Sequence, residues 1–365
     1  PIAAGKITIN HSLVYVALLC MLAFIILIQF NYMTIILGLS SMFLAGVERD
    51  SMAGSIPESL FVMFQMTFAI ITPALIVGAF VERMKFSSVM LFSGLWLIVV
   101  YCPVCYWVWG GGWLSDLGVM DFAGGIVVHI TAGVAALVAA MVLGNRRGFP
   151  NQAMPPHNMT LSIMGAGMLW VGWFGFNGGS ALAANGDAGM AMLVTHISAA
   201  GGAFMWMLLE RINHGKASAL GAVTGMVAGL GTITPASGFV GPGGGLIIGL
   251  SAGVVCYYAT GYIKRTLKID DSLDVFPVHG VGGILGTLLT GVFASNALGV
   301  FSGQEDIAIG AQVSIQAIGI LSAICYTAVV TYVILKVTDA VVGNRVDEED
   351  EMQGLDLVSH DERGY

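Results

Sequence analysis

The sequence carries little charge. Only 10% of its 365 residues are Asp, Glu, Lys or Arg, against 56% hydrophobic. A soluble domain has about 25% charged residues, so a soluble fold is excluded and the chain is an integral membrane protein. Basic residues are scarcest: 14 Lys and Arg against 22 Asp and Glu leave a formal net charge of -8. There is no basic stripe, which excludes a nucleic-acid partner. Much of the acidic excess lies in one terminal stretch, Asp347 to Glu351 with Asp356, Asp361 and Glu362. The five cysteines all lie in apolar segments and look like buried hydrophobes, not a disulfide framework. Cys102-Pro-Val-Cys105 fits a CxxC pattern but has no second ligand pair to complete a metal site. No nucleophile cluster, third ligand group or Gly-rich phosphate loop supports an enzyme, so neither catalysis nor a cofactor or metal is expected. No secretory signal peptide is visible.

Long apolar runs are what the chain does have. A spanning helix needs about 20 apolar residues, and ten segments qualify: 12–33, 57–80, 87–109, 121–143, 159–176, 188–209, 217–235, 240–263, 278–294 and 307–338. The stretch 34–46 is apolar but short and broken by Gly38, Ser40 and Ser41, which suits an interfacial or re-entrant piece. Charge orients the set. Of the 14 basic residues, 12 follow even-numbered segments: Arg83, Lys85, Arg146, Arg147, Arg211, Lys216, Lys264, Arg265, Lys268, Lys336, Arg345 and Arg363. The positive-inside rule puts that side, and the C-terminus, in the cytoplasm. Fifty glycines are about twice the usual share. Two ladders at four-residue spacing, Gly221/Gly225/Gly229 and Gly245/Gly249/Gly253, predict close helix contacts in lipid.

Polar and aromatic groups mark the function. Phe64 and Phe68 share a helix face. Trp109 ends segment 3, and Trp173, Phe176 or Asn177, and Ser180 follow helical spacing at the end of segment 5. Aromatic residues near segment ends commonly form interfacial belts. Aromatic faces with a hydroxyl and no carboxylate also suit a small cation that must shed water, each contact worth about 0.5–2 kcal/mol. Asp121 opens segment 4, where a carboxylate caps the first turn and favours a cation nearby. His129 lies ~12 Å further in, at 1.5 Å per residue. His279 opens segment 9 just after Pro277, in the context Asp274-Val-Phe-Pro-Val-His-Gly that parallels the one around His129. Ionisable groups in hydrocarbon mark ion or proton paths, and paired neutral imidazoles can hand a proton across.

These residues carry a family resemblance. Phe64-Gln65-x-x-Phe68, Gly78-x-x-x-Glu82-Arg83, Trp109-Gly-Gly-Gly112, Asp121-Phe-Ala-Gly-Gly125-x-Val-Val-His129, Pro156-His157-Asn158, Gly172-Trp-Phe-Gly-Phe-Asn177-x-Gly-Ser180, Thr234-Pro235-Ala236, Asp270-Asp271-x-x-Asp274 and Val278-His-Gly-Val281 stand in the order found in the ammonium transporter (Amt/Mep/Rh) family. The tail Gly354-Leu355-Asp356-x-x-x-Ser359-His360 is similar to that family's C-terminus. The resemblance covers residues 57–362 and is to the bacterial and archaeal Amt branch. It implies an all-α polytopic fold, 10–11 transmembrane helices around a central hydrophobic pore in each subunit of a homotrimer. It implies substrate recruitment by Trp109, Ser180, Phe64 and Phe68, a gate of Phe68 and Phe176, pore histidines His129 and His279, pore-lining Trp173, and Asp121 as the supporting carboxylate. One departure is clear. The family has eleven spans, whereas residues 1–56 hold one segment and lack the family's aromatic-Tyr-Gly-Gly-like turn. Residues 1–56 are therefore expected to be a divergent or truncated N-terminal transmembrane region, 57–340 the transporter domain and 341–365 a cytoplasmic tail. By composition the tail is a solvated, disordered end; by resemblance it serves subunit cross-talk and a PII-type regulatory protein.

The implied function is recruitment of ammonium from outside, its deprotonation, and conduction of ammonia, with or without a separate proton, across the inner (plasma) membrane. An ammonium sensor of the same fold, or an Rh-like neutral NH3/CO2 channel, are the alternatives.

Overall fold

The computed structural model describes residues 44–296, 298 and 307–362. The apolar segment 12–33 and most of 34–46 lie outside the described residues. A short hairpin, β1 (Met52–Ala53) with β2 (Ile56–Pro57), precedes α1 (Glu58–Val77). Then follow α2 (Phe86–Trp96), α3 (Cys102–Trp109), α4 (Trp113–Asp116), α5 (Thr131–Leu143), α6 (Met159–Gly179), α7 (Gly186–His214), α8 (Ala219–Ile233), α9 (Pro242–Gly261), α10 (Val281–Phe293) and α11 (Ile309–Val342). Two short helices, α12 (Glu348–Gln353) and α13 (Leu355–His360), close the described chain.

Each of the nine expected segments from 57 to 338 is helical. Among the described residues eight helical stretches are long and apolar enough to cross a bilayer, and α8 is the shorter exception at 15 residues. At 1.5 Å per residue it spans ~22 Å, and turns through Thr234–Ala236 carry the chain on from its end. The boundaries follow local chemistry. Asn158 accepts from the Leu161 N–H, Asn185 from Asp187 and Ala188, and Ser218 from Gly221, so three helix starts are side-chain capped. Pro242 sits in the first turn of α9, where its missing N–H costs nothing. Gly215, at φ +77°, ends α7 in the left-handed conformation.

Both glycine ladders pack where the pattern required. A Cβ on Gly229 or on Gly249 would strike the Ser198 carbonyl of α7, and one on Gly225 or Gly253 would strike the backbone at Gly202. α8 and α9 therefore clasp α7 from two sides through bare backbone, the close approach that stabilises helix pairs in lipid. A separate apolar core, including Phe68, Trp96, Tyr101, Ile126 and Ile130, joins α1, α2 and α5 to α11. Within it the Trp96 indole donates to Thr331 Oγ1 at 3.0 Å.

The basic loops converge on one end of the bundle. Arg83, fully buried, donates to the carbonyls of Ala79 and Asp270 and to the Ser272 hydroxyl. Arg146 grips both carboxylate oxygens of Asp270, at 2.8 and 2.9 Å, and reaches Glu82 at 3.1 Å. Burial opposes ionisation of Asp270, but the Arg146 hydrogen bonds and the charges of Arg146 and Arg83 hold its carboxyl below the usual value. Burial, with the nearby charges of Arg146 and Arg345, pulls Arg83 down to about 10, against the attraction of Asp270. The described part of the acidic tail is not a disordered end: it forms α12 and α13 and is anchored to the bundle. Glu351, buried, accepts from the Arg147 N–H and from Arg345, and Arg345 also donates to the carbonyls of Leu143 and Asn145. His360 meets Phe86 edge-on at 5.5 Å. Paired and buried, these charges outweigh the entropy that composition alone would leave to the tail.

Candidate functional site

Two short π-helical turns, Gly125–Ile130 and Phe276–Gly280, each open a helix and each carry one histidine. The first is built on Asp121. Its Oδ1 accepts from the N–H groups of Gly124 and Gly125, and its Oδ2 from Ile126 and Val127. Four orphan donors of a helix start are thus satisfied by one buried carboxylate. Gly124, at φ +112°, makes the turn that lets the chain fold back over it. The Asp121 carbonyl in turn accepts from the Trp109 indole at 2.7 Å.

The second turn follows the same plan with a different aspartate. Asp271 Oδ2 accepts from the Phe276 N–H at 2.7 Å. Asp274, whose flanking sequence parallels that of Asp121, instead pairs with Lys264 at 2.8 Å. The informative signal was spacing: Asp121 precedes His129, and Asp271 precedes His279, by the same eight residues. Burial, helped by the neighbouring Asp274 charge, pushes the Asp271 carboxyl up to about 6.

The two histidine turns touch. A Cβ on Gly133 would strike the backbone of Gly280, so α5 and the Phe276–Gly280 turn cross at bare backbone. That approach leaves His129 Nδ1 and His279 Nδ1 3.2 Å apart, with the rings near-parallel at 5.2 Å. One of the two Nδ1 atoms must carry the hydrogen and the other accept it. His129 Nε2 has no protein partner among the described residues.

Aromatic rings extend from this pair in one direction. His129 stacks on Trp173 at 5.4 Å and on Phe176 at 6.0 Å. The Trp173 indole is fixed by Thr234 Oγ1 at 2.9 Å, a contact no sequence pattern announced. Phe176 meets Phe68 at 4.4 Å, Phe68 meets Phe64 at 4.9 Å and Trp109 at 5.7 Å. Phe64 also lies against Gly179, next to Ser180, whose hydroxyl donates to the Phe176 carbonyl. Trp109 and Ser180 share no hydrogen bond among the described residues; the two are linked through Phe68, Phe64 and Phe176. In the other direction His279 lines a cavity of about 1140 Å³ that opens among Glu82, Arg146, His157, Asp274 and Glu351. Trp109, Phe68, Phe176, His129 and His279 thus form one continuous series through the bundle. Its polar atoms are few, and it leads to the charged end.

The sequence profile of the Ammonium Transporter Family matches residues 5–365. The chain belongs to that family. Ammonium transporter Amt1 of Archaeoglobus fulgidus is 46% identical over 336 residues, covering 91% of this chain and 82% of that protein. Among solved structures, a sensor Amt protein superposes with a TM-score of 0.87 at 30% identity, covering 96% of this chain and 89% of that one. Saccharomyces cerevisiae Mep2 superposes at 0.84 and 36% identity, covering 92% and 81%. The family is one of membrane transporters, so this member is a multi-pass membrane protein with ammonium as its substrate, not an enzyme.

Proposed function

We propose that this family member recruits ammonium at Trp109, Ser180, Phe64 and Phe68 and passes it, as ammonia, through the Phe68–Phe176 gate to His129 and His279. The observation that carries this reading is the Nδ1–Nδ1 contact of 3.2 Å at the end of the aromatic series. Ammonium and potassium are alike in size and charge, so rings of carbonyl oxygens would separate them poorly. Ammonium alone can give up a proton. Cation–π attraction at Trp109 and Phe68 favours the charged form, and the apolar stretch beyond favours the neutral one. The free Nε2 of His129 faces that change of state, Trp173 lines the passage beside it, and the shared hydrogen of the imidazole pair offers a separate route for the proton. Asp121 holds the His129 turn and the Trp109 indole in register.

The charge pattern supports an orientation with the Trp109 end outside and the Arg83 end, with the tail, in the cytoplasm of a cell whose plasma membrane holds the protein as a homotrimer. The packed tail at the mouth of the His279 cavity is the surface a PII-type regulator would read. A second reading, ammonium sensing with little flux, rests on the likeness to a sensor Amt protein.

The test is charge displacement and internal pH in proteoliposomes after ammonium and potassium pulses. Ammonium-selective movement that is lost in His129→Asp supports the transport reading. Potassium currents comparable to ammonium currents would overturn it. Saturable ammonium binding with neither current nor pH change would leave the sensor.

A further inference from the structure

Gln316, on α11, is fully buried and far in sequence from every residue of the site described above. Its amide pairs with both backbone groups of Met120. Oε1 accepts from the Met120 N–H at 2.8 Å, and Nε2 donates to the Met120 carbonyl at 2.7 Å. The same Nε2 donates to the Thr287 carbonyl of α10 at 3.1 Å. Gln312, one turn earlier, donates to the Gly118 carbonyl at 2.9 Å and to Gln316 Oε1 at 3.3 Å. Every donor and acceptor of the Gln316 amide is used, and an amide so satisfied has one orientation.

The segment it holds is the approach to the site. Gly118 and Met120 are clamped by the two glutamines. Asp121 gives its carbonyl to Trp109 and its carboxylate to the His129 turn, and Phe122 N–H donates to the Pro235 carbonyl at 3.0 Å. Between Gly118 and Phe122 the backbone has no hydrogen-bonded regular structure of its own. Without the glutamines, Gly118 and Val119 keep their N–H bonds to the Ser115 and Leu114 carbonyls, but Met120, next to Asp121, is left with no backbone hydrogen bond among the described residues. Its drift moves the Asp121 carbonyl, and with it the plane of the Trp109 indole. The Thr287 contact ties the same amide to α10, the helix that continues the His279 turn.

We propose that Gln316 is a positioning residue for the Trp109 site: it never touches substrate, but it sets the Met120–Asp121 backbone on which the Trp109 ring and the His129 turn are both hung. The proposal rests on the reading of Trp109 as the recruitment site.

The test compares half-saturating ammonium concentration with maximal flux in proteoliposomes for four variants. Gln316→Met, similar in length but without polar atoms, should raise half-saturation about fivefold, the value of roughly one net hydrogen bond, with maximal flux reduced less. Gln312→Met, which frees only the Gly118 carbonyl and one partner of Gln316, should move half-saturation the same way by a smaller factor. It also keeps the proposal testable if Gln316→Met does not fold. Thr331→Val breaks a different buried polar link of α11, the one to Trp96, and should lower Tm without moving half-saturation. Trp109→Leu checks the underlying reading. If Trp109→Leu moves half-saturation but neither glutamine variant does, the clamp is refuted and the recruitment site survives. If Thr331→Val shifts half-saturation as far as Gln316→Met does, the effect is general loosening and the proposal falls. If Trp109→Leu moves nothing, recruitment at Trp109 is itself wrong, and the positioning role goes with it.

Discussion

Asp271 caps the π-helical turn that carries His279 from eight residues upstream, accepting the Phe276 N–H at 2.7 Å. Asp121 does the same for His129 with four N–H groups. The two imidazoles are therefore delivered to one point by two copies of one device, entered from opposite ends of the bundle. A π turn is rare and appears mostly as a single turn set into an α-helix, often at a functional site. A buried carboxylate beneath the N-terminus matches the positive end of the helix dipole.

The Asp271 cap titrates. Its carboxyl is raised from an ordinary 3.8 to about 6, first by burial and then by the Asp274 charge. Between those values the folded protein holds a proton that the unfolded chain has released. Its contribution to stability thus declines as pH rises from about 4 to about 6 and is level above. Asp270 has the opposite sign. Its carboxyl is lowered, so its contribution is present above 3.8 and is lost as pH falls through the folded value. The Tm of the detergent-solubilised protein should fall less steeply between pH 4 and 6 in Asp271→Asn than in the parent. Parallel curves would mean that this carboxyl does not titrate there.

At the aromatic end, cation–π attraction of about 0.5–2 kcal/mol corresponds to roughly 2- to 30-fold in affinity. Trp109→Leu should raise half-saturating ammonium by a factor in that range. The Trp109–Asp121 hydrogen bond is lost as well, so part of the effect comes through the backbone that Asp121 anchors. Trp109→His, which keeps a ring N–H, separates the two parts. A half-saturation restored to the parent value in that variant would assign the effect to the hydrogen bond, not to the indole face.

The crossing of the histidine turns depends on two residues without side chains. Gly133→Val would push a branched side chain into the Gly280 backbone. Overpacking of this kind costs typically about 1–3 kcal/mol, and here it also separates the imidazoles. Tm should drop by several degrees and flux should fall more than stability explains. Flux at the parent level in folded Gly133→Val would show that the 3.2 Å contact is dispensable.

The nine apolar segments from 57 to 338, the histidine pair and the aromatic residues were legible because apolar length, spacing and motif all act locally. What escaped the sequence is long-range. The flanking context of His279 pointed to Asp274, yet Asp274 adopts φ +57° and turns to Lys264, leaving Asp271 to cap. Thr234 looks like any helix-end threonine until Trp173 is seen donating to it. Gln312 and Gln316 sit in an apolar helix with nothing nearby in sequence to announce their partners nearly 200 residues away. Trp109 and Ser180 come from different helices, and the link between them runs through Phe68 of α1 and Phe176, a route that no local spacing shows.

The acidic tail misled for the same reason, and its docking is open to test. Glu351 is one of five acidic residues in a row, yet it alone of them is buried. It accepts the Arg147 N–H at 2.8 Å and pairs with Arg345 at 2.9 Å. Hydrogen bonds to a charged group are worth about 1.5–3 kcal/mol, less where solvent screens a half-exposed partner such as Arg345, and that is enough to decide whether two short helices stay docked. Glu351→Gln keeps the shape and the acceptor toward Arg147 but loses the ion pair, whereas Glu349→Gln changes the same charge on the exposed side. Limited proteolysis within residues 347–360 should speed up about tenfold or more in Glu351→Gln, because cleavage of a transiently opened segment follows its open population. It should be little changed in Glu349→Gln, and Tm of the helical bundle should hold in both. Equal acceleration in the two variants would assign the effect to net tail charge and would remove Glu351 as the anchor.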